Sequence, residues 1–341
     1  MNITGHAVYS APGRGSVRAV RGPITWAGKH SAIISPMTCL QPRLRRRLLV
    51  AAALSIACGD APTTPGDDGG QGLGHPVGTP SGKLTIGGTP SGIAVSPNGI
   101  GFVTMLDSNG IARFSAAAPA ALMSPLFIAV HPWDVAFNRD GNTALVAAAD
   151  PARWVVYSVD VRSGDVPYAR AILNAPYRVA VARDDSRLFV LTYGDPARVY
   201  SIALNDLFGA RQYLQQIPGL PRSITVSPTT GAVFVTTNYR VARLDPDTVG
   251  IQAISFVPIG SENSVLSPDG SRVWFGSPAG NLVALDANSL EQVAEVATGG
   301  KIYGVAMSPD GAQLWATSAD QLLIVDTAAG SIVTQDRKSV V

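Results

Sequence analysis

Val305-Ala306-Met307-Ser308-Pro309-Asp310-Gly311, followed by Leu314-Trp315-Ala316, decides the fold. Two short apolar runs flank a Ser-Pro-Asp-Gly turn. Proline pre-sets φ, aspartate caps its own backbone, and glycine takes the position that needs φ > 0. The same unit recurs upstream. The turns are Ser96-Pro97-Asn98-Gly99, Asn138-Arg139-Asp140-Gly141, Ala182-Arg183-Asp184-Asp185, Ser227-Pro228-Thr229-Thr230 and Ser267-Pro268-Asp269-Gly270. They lie about 40 to 45 residues apart, the period of a propeller blade. Ile93-Ala94-Val95 and Val179-Ala180-Val181 precede such turns, and Phe102-Val103-Thr104 and Leu188-Phe189-Val190 follow them. A third strand ends at Asp160, Asp245, Asp286 and Asp326. Four strands per unit, six times over, predict an all-β propeller spanning residues 81–341. No segment keeps a helical period, so very little helix is expected.

Outside the individual units, the array leaves a question of closure. Lys83-Leu84-Thr85-Ile86-Gly87-Gly88-Thr89-Pro90 reads as the end of a repeat without its beginning. Either six blades close with a redundant N-terminal strand, or a seventh blade lacks its first three strands. An open ring would expose blade faces that need partners. The repeats at Thr104–Ile128 and Tyr193–Ile217 have the longest, least regular connections.

The units resemble the YVTN repeat family of β-propellers. Val325-Asp326-Thr327-Ala328-Ala329-Gly330-Ser331-Ile332-Val333 is similar to that family's third strand, turn and fourth strand. Phe234-Val235-Thr236-Thr237-Asn238 is a loose form of its name-giving tetrapeptide. The resemblance covers roughly Lys83 to Val333 and implies a bacterial envelope protein.

The N-terminal part reads as an address. Arg43-Leu44-Arg45-Arg46-Arg47, the apolar run Leu48–Ala57 and then Cys58 have the order of a secretory signal, expected over residues 37–57. The apolar run is too short to span a bilayer as a helix. Leu54-Ser55-Ile56-Ala57-Cys58 resembles a lipobox, with Ser55 where the family usually carries Leu, Val or Ile, and implies lipidation of Cys58. Residues 58–80 follow as a Gly/Pro-rich tether with nothing to bury. Residues 1–36 are read as a non-native extension, with Met37 the expected start. The expectation is an exported monomer, lipid-anchored in the cell envelope. Gly59 offers no acidic retention signal, which favours the outer membrane or periplasmic face.

Chemistry is narrowed mostly by exclusion. Of 341 residues, 26 are Lys or Arg and 24 Asp or Glu, and the excess of +2 comes largely from Arg43–Arg47. No basic face advertises nucleic acid. Cys39 and Cys58 both precede the repeats, and of His6, His30, His75 and His131 only His131 lies within them. Haem and copper therefore lack ligands, and no cofactor is expected. No nucleophile elbow or phosphate loop occurs.

In a propeller, ligands sit at the mouth of the central channel. The residues that begin each inner strand are Ser91-Gly92, Trp133-Asp134, Tyr177-Arg178, Arg222-Ser223, Glu262-Asn263 and Tyr303-Gly304. Trp133, Asp134, Tyr177, Arg178, Arg222, Glu262, Asn263 and Tyr303 are thus the candidate binding residues, for an envelope protein, a glycan or a small ligand. Alternatively they close the channel on one another, Arg222 with Glu262 for instance. Binding is expected rather than catalysis. The competing expectation is a lactonase-like hydrolase holding a divalent cation on Asp134, Glu262 and Asn263. The third-strand aspartates are expected to cap turns, and Trp274 and Trp315 to pack.

Overall fold

The structure, a computed structural model, describes residues 86, 88–115, 118–127, 131–150, 153–206, 212–319 and 321–337. The extension, the signal segment, Cys58, the tether and half of Lys83–Pro90 lie outside them. No helix of the described residues is long and apolar enough to cross a membrane.

Six four-stranded antiparallel sheets form the blades of a β-propeller. Blade 1 is β1 (Pro90–Val95), β2 (Ile100–Met105), β3 (Gly110–Ser115) and β4 (Ala118–Leu126). Blade 2 is β5 (Pro132–Phe137), β6 (Thr143–Asp150), β7 (Arg153–Asp160) and β8 (Tyr168–Ile172). Blade 3 is β9 (Pro176–Val181), β10 (Arg187–Thr192), β11 (Ala197–Ala203) and β12 (Gln212–Ile217). Blade 4 is β13 (Pro221–Val226), β14 (Val233–Thr237), β15 (Arg240–Leu244) and β16 (Ile251–Phe256). Blade 5 is β17 (Ser264–Leu266), β18 (Arg272–Gly276), β19 (Asn281–Asp286) and β20 (Gln292–Ala297). Blade 6 is β21 (Gly304–Met307), β22 (Gln313–Thr317), β23 (Gln321–Asp326) and β24 (Ser331–Arg337). Among the described residues the helical content is one 3₁₀ turn, Leu204–Asp206.

The sequence sorts these strands by depth. Second and third strands are covered on both faces by neighbouring blades, so they read as unbroken apolar runs such as Leu188–Leu191 and Val273–Phe275, all buried. Fourth strands lie at the rim with one face in water, and Ile251, Ile254 and Val293 stand exposed among polar neighbours.

The turns after the inner strands hold as read. The Gly99, Gly141, Gly270 and Gly311 amides donate to the carbonyls of Ser96, Asn138, Ser267 and Ser308 at 2.8–3.0 Å. In blade 3, Asp185 replaces glycine and accepts φ +57, a position aspartate tolerates better than most residues. Blade 4 departs from the reading. Its turn is one residue longer, and the positive φ falls on Gly231, whose amide reaches Ser227 O at 3.1 Å.

The third-strand aspartates cap turns. Asp160 Oδ1 accepts from the Arg162 and Ser163 amides, Asp245 Oδ1 from Asp247 and Thr248, Asp286 Oδ1 from Asn288 and Ser289, and Asp326 Oδ1 from Ala328 and Ala329. These backbone donors hold Asp160, Asp245 and Asp286 below the ordinary carboxylate range. Every cap and every Ser-Pro-Asp-Gly turn lies on one face of the ring. The loops between second and third strands and the connections between blades lie on the opposite, mouth face.

Apolar clusters fill the gaps between consecutive blades: Phe102 with Val146, Leu145 with Val190, Phe189 with Val235, Phe234 with Phe275, and Trp274 with Leu314. Both tryptophans are buried, as expected. Blade 1 has a further cluster, Val103, Met105, Ala112 and Phe114 with Ile86, Ile93 and Val95, that no described residue of blade 6 joins.

Candidate functional site

Four inner strands begin alike. Pro90, Pro132, Pro176 and Pro221 each open one, and a proline has no amide to donate to the ladder. Directly behind each proline the register slips: Pro132 pairs Ala148 but Asp134 pairs Ala147, Pro176 pairs Thr192 but Arg178 pairs Leu191, and Pro221 pairs Thr237 but Ser223 pairs Thr236. Trp133, Tyr177 and Arg222 are the extra residues of these bulges. A bulge re-aims the side chain it inserts, here towards those of the adjoining blades.

What they meet is a connected polar and aromatic cluster drawn from blades 2 to 5. The Trp133 and Tyr177 rings meet edge to face at 5.5 Å, and Tyr177 meets Tyr193 at 5.7 Å. The Arg178 guanidinium lies over the Tyr177 ring, 4.2 Å from its centre, and its Nη2 donates to the phenol oxygen at 3.3 Å. Glu262 bridges two blades. Its Oε1 accepts from Arg222 Nη1 at 2.7 Å, and its Oε2 accepts from the Tyr177 hydroxyl at 3.4 Å. The Arg222–Glu262 pair expected as a channel closure is therefore present.

Asp134 has a different job. Its Oδ2 accepts the Val179 amide at 3.0 Å, tying blade 2 to blade 3. Burial raises its pKa above the ordinary value, against the lowering effect of Arg178 and the Val179 amide. Burial raises the Tyr177 hydroxyl as well. Burial also works against the charge on Arg178, but Tyr177, Asp134 and Glu262 more than restore it. Asp134 and Glu262 thus both face Arg178, and Glu262 is also paired with Arg222.

The other two candidates sit differently. Asn263 forms a two-way bond with Val305, Nδ2 to the carbonyl at 2.8 Å and Oδ1 from the amide at 2.9 Å. That fastens blade 5 to blade 6. Tyr303 carries Lys301 over its ring, 5.1 Å from the centre. The trio Asp134, Glu262 and Asn263 is thus bonded to Val179, to Arg222 and Tyr177, and to Val305. Among the described residues no three His, Cys, Asp or Glu side chains converge as a metal site. His131 takes φ +48 and places Nδ1 2.8 Å from Leu106 O, a blade connection rather than part of the cluster.

The chain resembles solved β-propellers. It is similar to a functionally unknown protein from Desulfotomaculum acetoxidans DSM 771, with TM-score 0.62 and 15% identity over 74% of this chain and 86% of that one. It is also similar to the Cps50 (Swd1) β-propeller domain of Myceliophteria thermophila, with TM-score 0.61 and 12% identity over 75% and 88%. At such identities the likeness shows the fold alone. No protein-family model and no curated protein matches the chain.

Sequence reasoning did not single out Tyr193, which extends the aromatic path from the channel to the surface. The signal for the bulges was present: proline followed by one large residue, Pro132-Trp133, Pro176-Tyr177 and Pro221-Arg222, at the start of an inner strand.

Proposed function

We propose that the protein is a recognition module whose channel mouth receives a small or terminal carboxylate against an aromatic wall. The propeller fold supports a binding or scaffold role in general. The observation that carries the finer reading is Arg178: a buried guanidinium stacked on Tyr177 whose hydrogen bond among the described residues is a long one to that ring's hydroxyl. A guanidinium has five donors in a planar fork and pairs a carboxylate through two of them. Trp133 and Tyr193 would flank such a ligand. In this reading the chain is a YVTN-type propeller, supported by the form of its repeats, and an exported, lipid-anchored envelope protein, supported by Arg43–Arg47, Leu48–Ala57 and Cys58. The hydrolase alternative draws no support from its three ligand candidates, each bonded elsewhere.

Titration of the full chain with benzoate and with benzamide, followed by tryptophan fluorescence, tests this. Benzoate should quench saturably and benzamide should not. Arg178→Gln should weaken benzoate binding about tenfold or more, the usual scale for losing one partner of a buried charge-assisted bond. Equal responses to acid and amide would refute the carboxylate reading.

A further inference from the structure

The mouth face is uneven in a way the repeat does not require. In blades 3 and 4 its loops present large apolar side chains to water: Leu173 (73% exposed), Tyr193 (44%), Leu220 (40%), Tyr239 (36%) and Phe256 (70%). The corresponding loops around blade 5 are Ser277-Pro278-Ala279-Gly280 and Thr298-Gly299-Gly300-Lys301. The same fold therefore accepts small polar loops at these places. Exposed Phe127 (77%) and Trp154 (38%) carry the apolar surface on across the mouth side of blades 1 and 2, and a run of exposed apolar side chains of this extent marks an interaction surface.

Hydrogen bonds make the arc continuous and fix it. The Tyr193 amide donates to Ala175 O at 2.8 Å, the Gly219 amide to Asp195 Oδ1 at 3.0 Å, the Leu220 amide to Asn238 Oδ1 at 2.9 Å, and the Val257 amide to Tyr239 O at 3.1 Å. The loops bearing Leu173, Tyr193, Leu220, Tyr239 and Phe256 are thus laced in sequence from the channel to the rim. At the inner end the Tyr193 ring touches Tyr177. At the outer end Arg240 lies over both Tyr239 and Phe256, 4.7 and 4.5 Å from their centres, and is held by Pro218 O at 3.0 Å.

Charge selects the occupant. Arg178, Arg222 and Arg240 line the track; Glu262 is paired with Arg222, Asp195 caps Gly219, and Asp134, which faces Arg178, accepts the Val179 amide. Arg240 covers the outer aromatic rings, which takes from them the stacking face a sugar ring would use. Leu173 and Leu220 offer aliphatic contacts that suit side chains. We propose that this arc is a docking track for an extended acidic polypeptide segment of a partner protein, apolar side chains on the ridge and carboxylates on the arginines, its inner end at Arg178. The proposal rests on the carboxylate reading of the mouth and extends it outward.

The test uses the full chain and a fluorescein-labelled peptide of about ten residues alternating Glu with Leu and Phe, read by anisotropy. Its counterpart carries Lys for Glu. The acidic peptide should bind saturably, at least about tenfold tighter than the basic one, and weaken with salt. Phe256→Ala and Leu220→Ser, both at exposed positions, should each lower its affinity by about fivefold or more with unchanged circular dichroism. Val293→Ala, on the outer strand of blade 5, should leave it unchanged. Equal binding of the two peptides, or indifference to Phe256→Ala and Leu220→Ser, overturns the proposal. Saturable binding of chitohexaose with no peptide binding replaces it with a glycan site. Benzoate binding at Arg178 without peptide binding sinks the track and spares the mouth; loss of both sinks both.

Discussion

Asp134 and Asp245 are the same residue under opposite physics. Asp245 sits in water at the turn face with the Asp247 and Thr248 amides pointing at one oxygen, so its charged form is favoured. Asp160 and Asp286 share that arrangement. A carboxyl whose folded pKa lies below its unfolded value stabilises the fold above the unfolded value, and that contribution is lost as pH falls through the folded one. Asp134 is the reverse. Its pKa is raised by burial, so the fold loses stability as pH climbs from the unfolded value through the raised one. Melting temperature should therefore decline below about pH 4, and the triple variant D160N/D245N/D286N should flatten that acid limb. Asp134→Asn should keep the Val179 bond through its amide oxygen and remove the buried charge. Its melting temperature at pH 7 should match or exceed that of the unsubstituted protein. A clear drop would mean that attraction to Arg178 outweighs desolvation at that carboxyl.

Among the elements, the joint between blades 5 and 6 shows how closely the blades fit. Gly276 ends β18, its carbonyl accepts from the Gly260 and Ser261 amides at 2.7 and 3.0 Å, and the buried Ile302 packs over its Cα. A Cβ at Gly276 would stand 2.5 Å from that of Ile302. Neither backbone nor Ile302 can yield without moving the strand that carries Asn263 or the one that follows Tyr303. Gly276→Ala should therefore destabilise by about 1–3 kcal/mol, the range for overpacking a filled core, read from denaturant midpoints. At this scale much was legible in the sequence. The turns and third-strand caps are local chemistry, each closed within a few residues, and the inner, outer and middle strands separate by apolar pattern. The extra residue before Gly231 escaped because Thr229-Thr230 fills the turn positions without a glycine to mark the slip. In the mouth, Arg222 with Glu262 followed from repeat register alone. The Asn263–Val305 bond did not, because it depends on how far one blade leans over the next. Exposure of Tyr193 and Leu220 is likewise a property of neighbouring loops rather than of their own sequence.

For the whole ring, successive inner strands pack in series, β1 on β5, β5 on β9, β9 on β13, β13 on β17 and β17 on β21. Each of these junctions also has a shared apolar cluster. Side chains reinforce several of them, Thr104 to Trp133 O, Asp134 to the Val179 amide, Ser223 to Ser264, and Asn263 to Val305. Between blade 6 and blade 1, no described residues supply a comparable cluster. Blade 1 turns Val103, Met105 and Phe114 towards a cluster of its own with Ile86, and β21 does not pack on β1 as the other inner strands do on one another. In a repeat array stability is roughly the sum of each unit and its nearest-neighbour interfaces, so the ring should open where an interface is weakest. Opening at that seam leaves blades 3 and 4, the carriers of the proposed track, locked on both sides. Native-state hydrogen exchange can read the order directly. Amides of β2, β3, β22 and β23 should exchange at least about tenfold faster than those of β10, β11, β14 and β15 under conditions where opening is local. Equal protection all round would mean that the sixth junction is closed as firmly as the rest, and that the ring opens only by global unfolding.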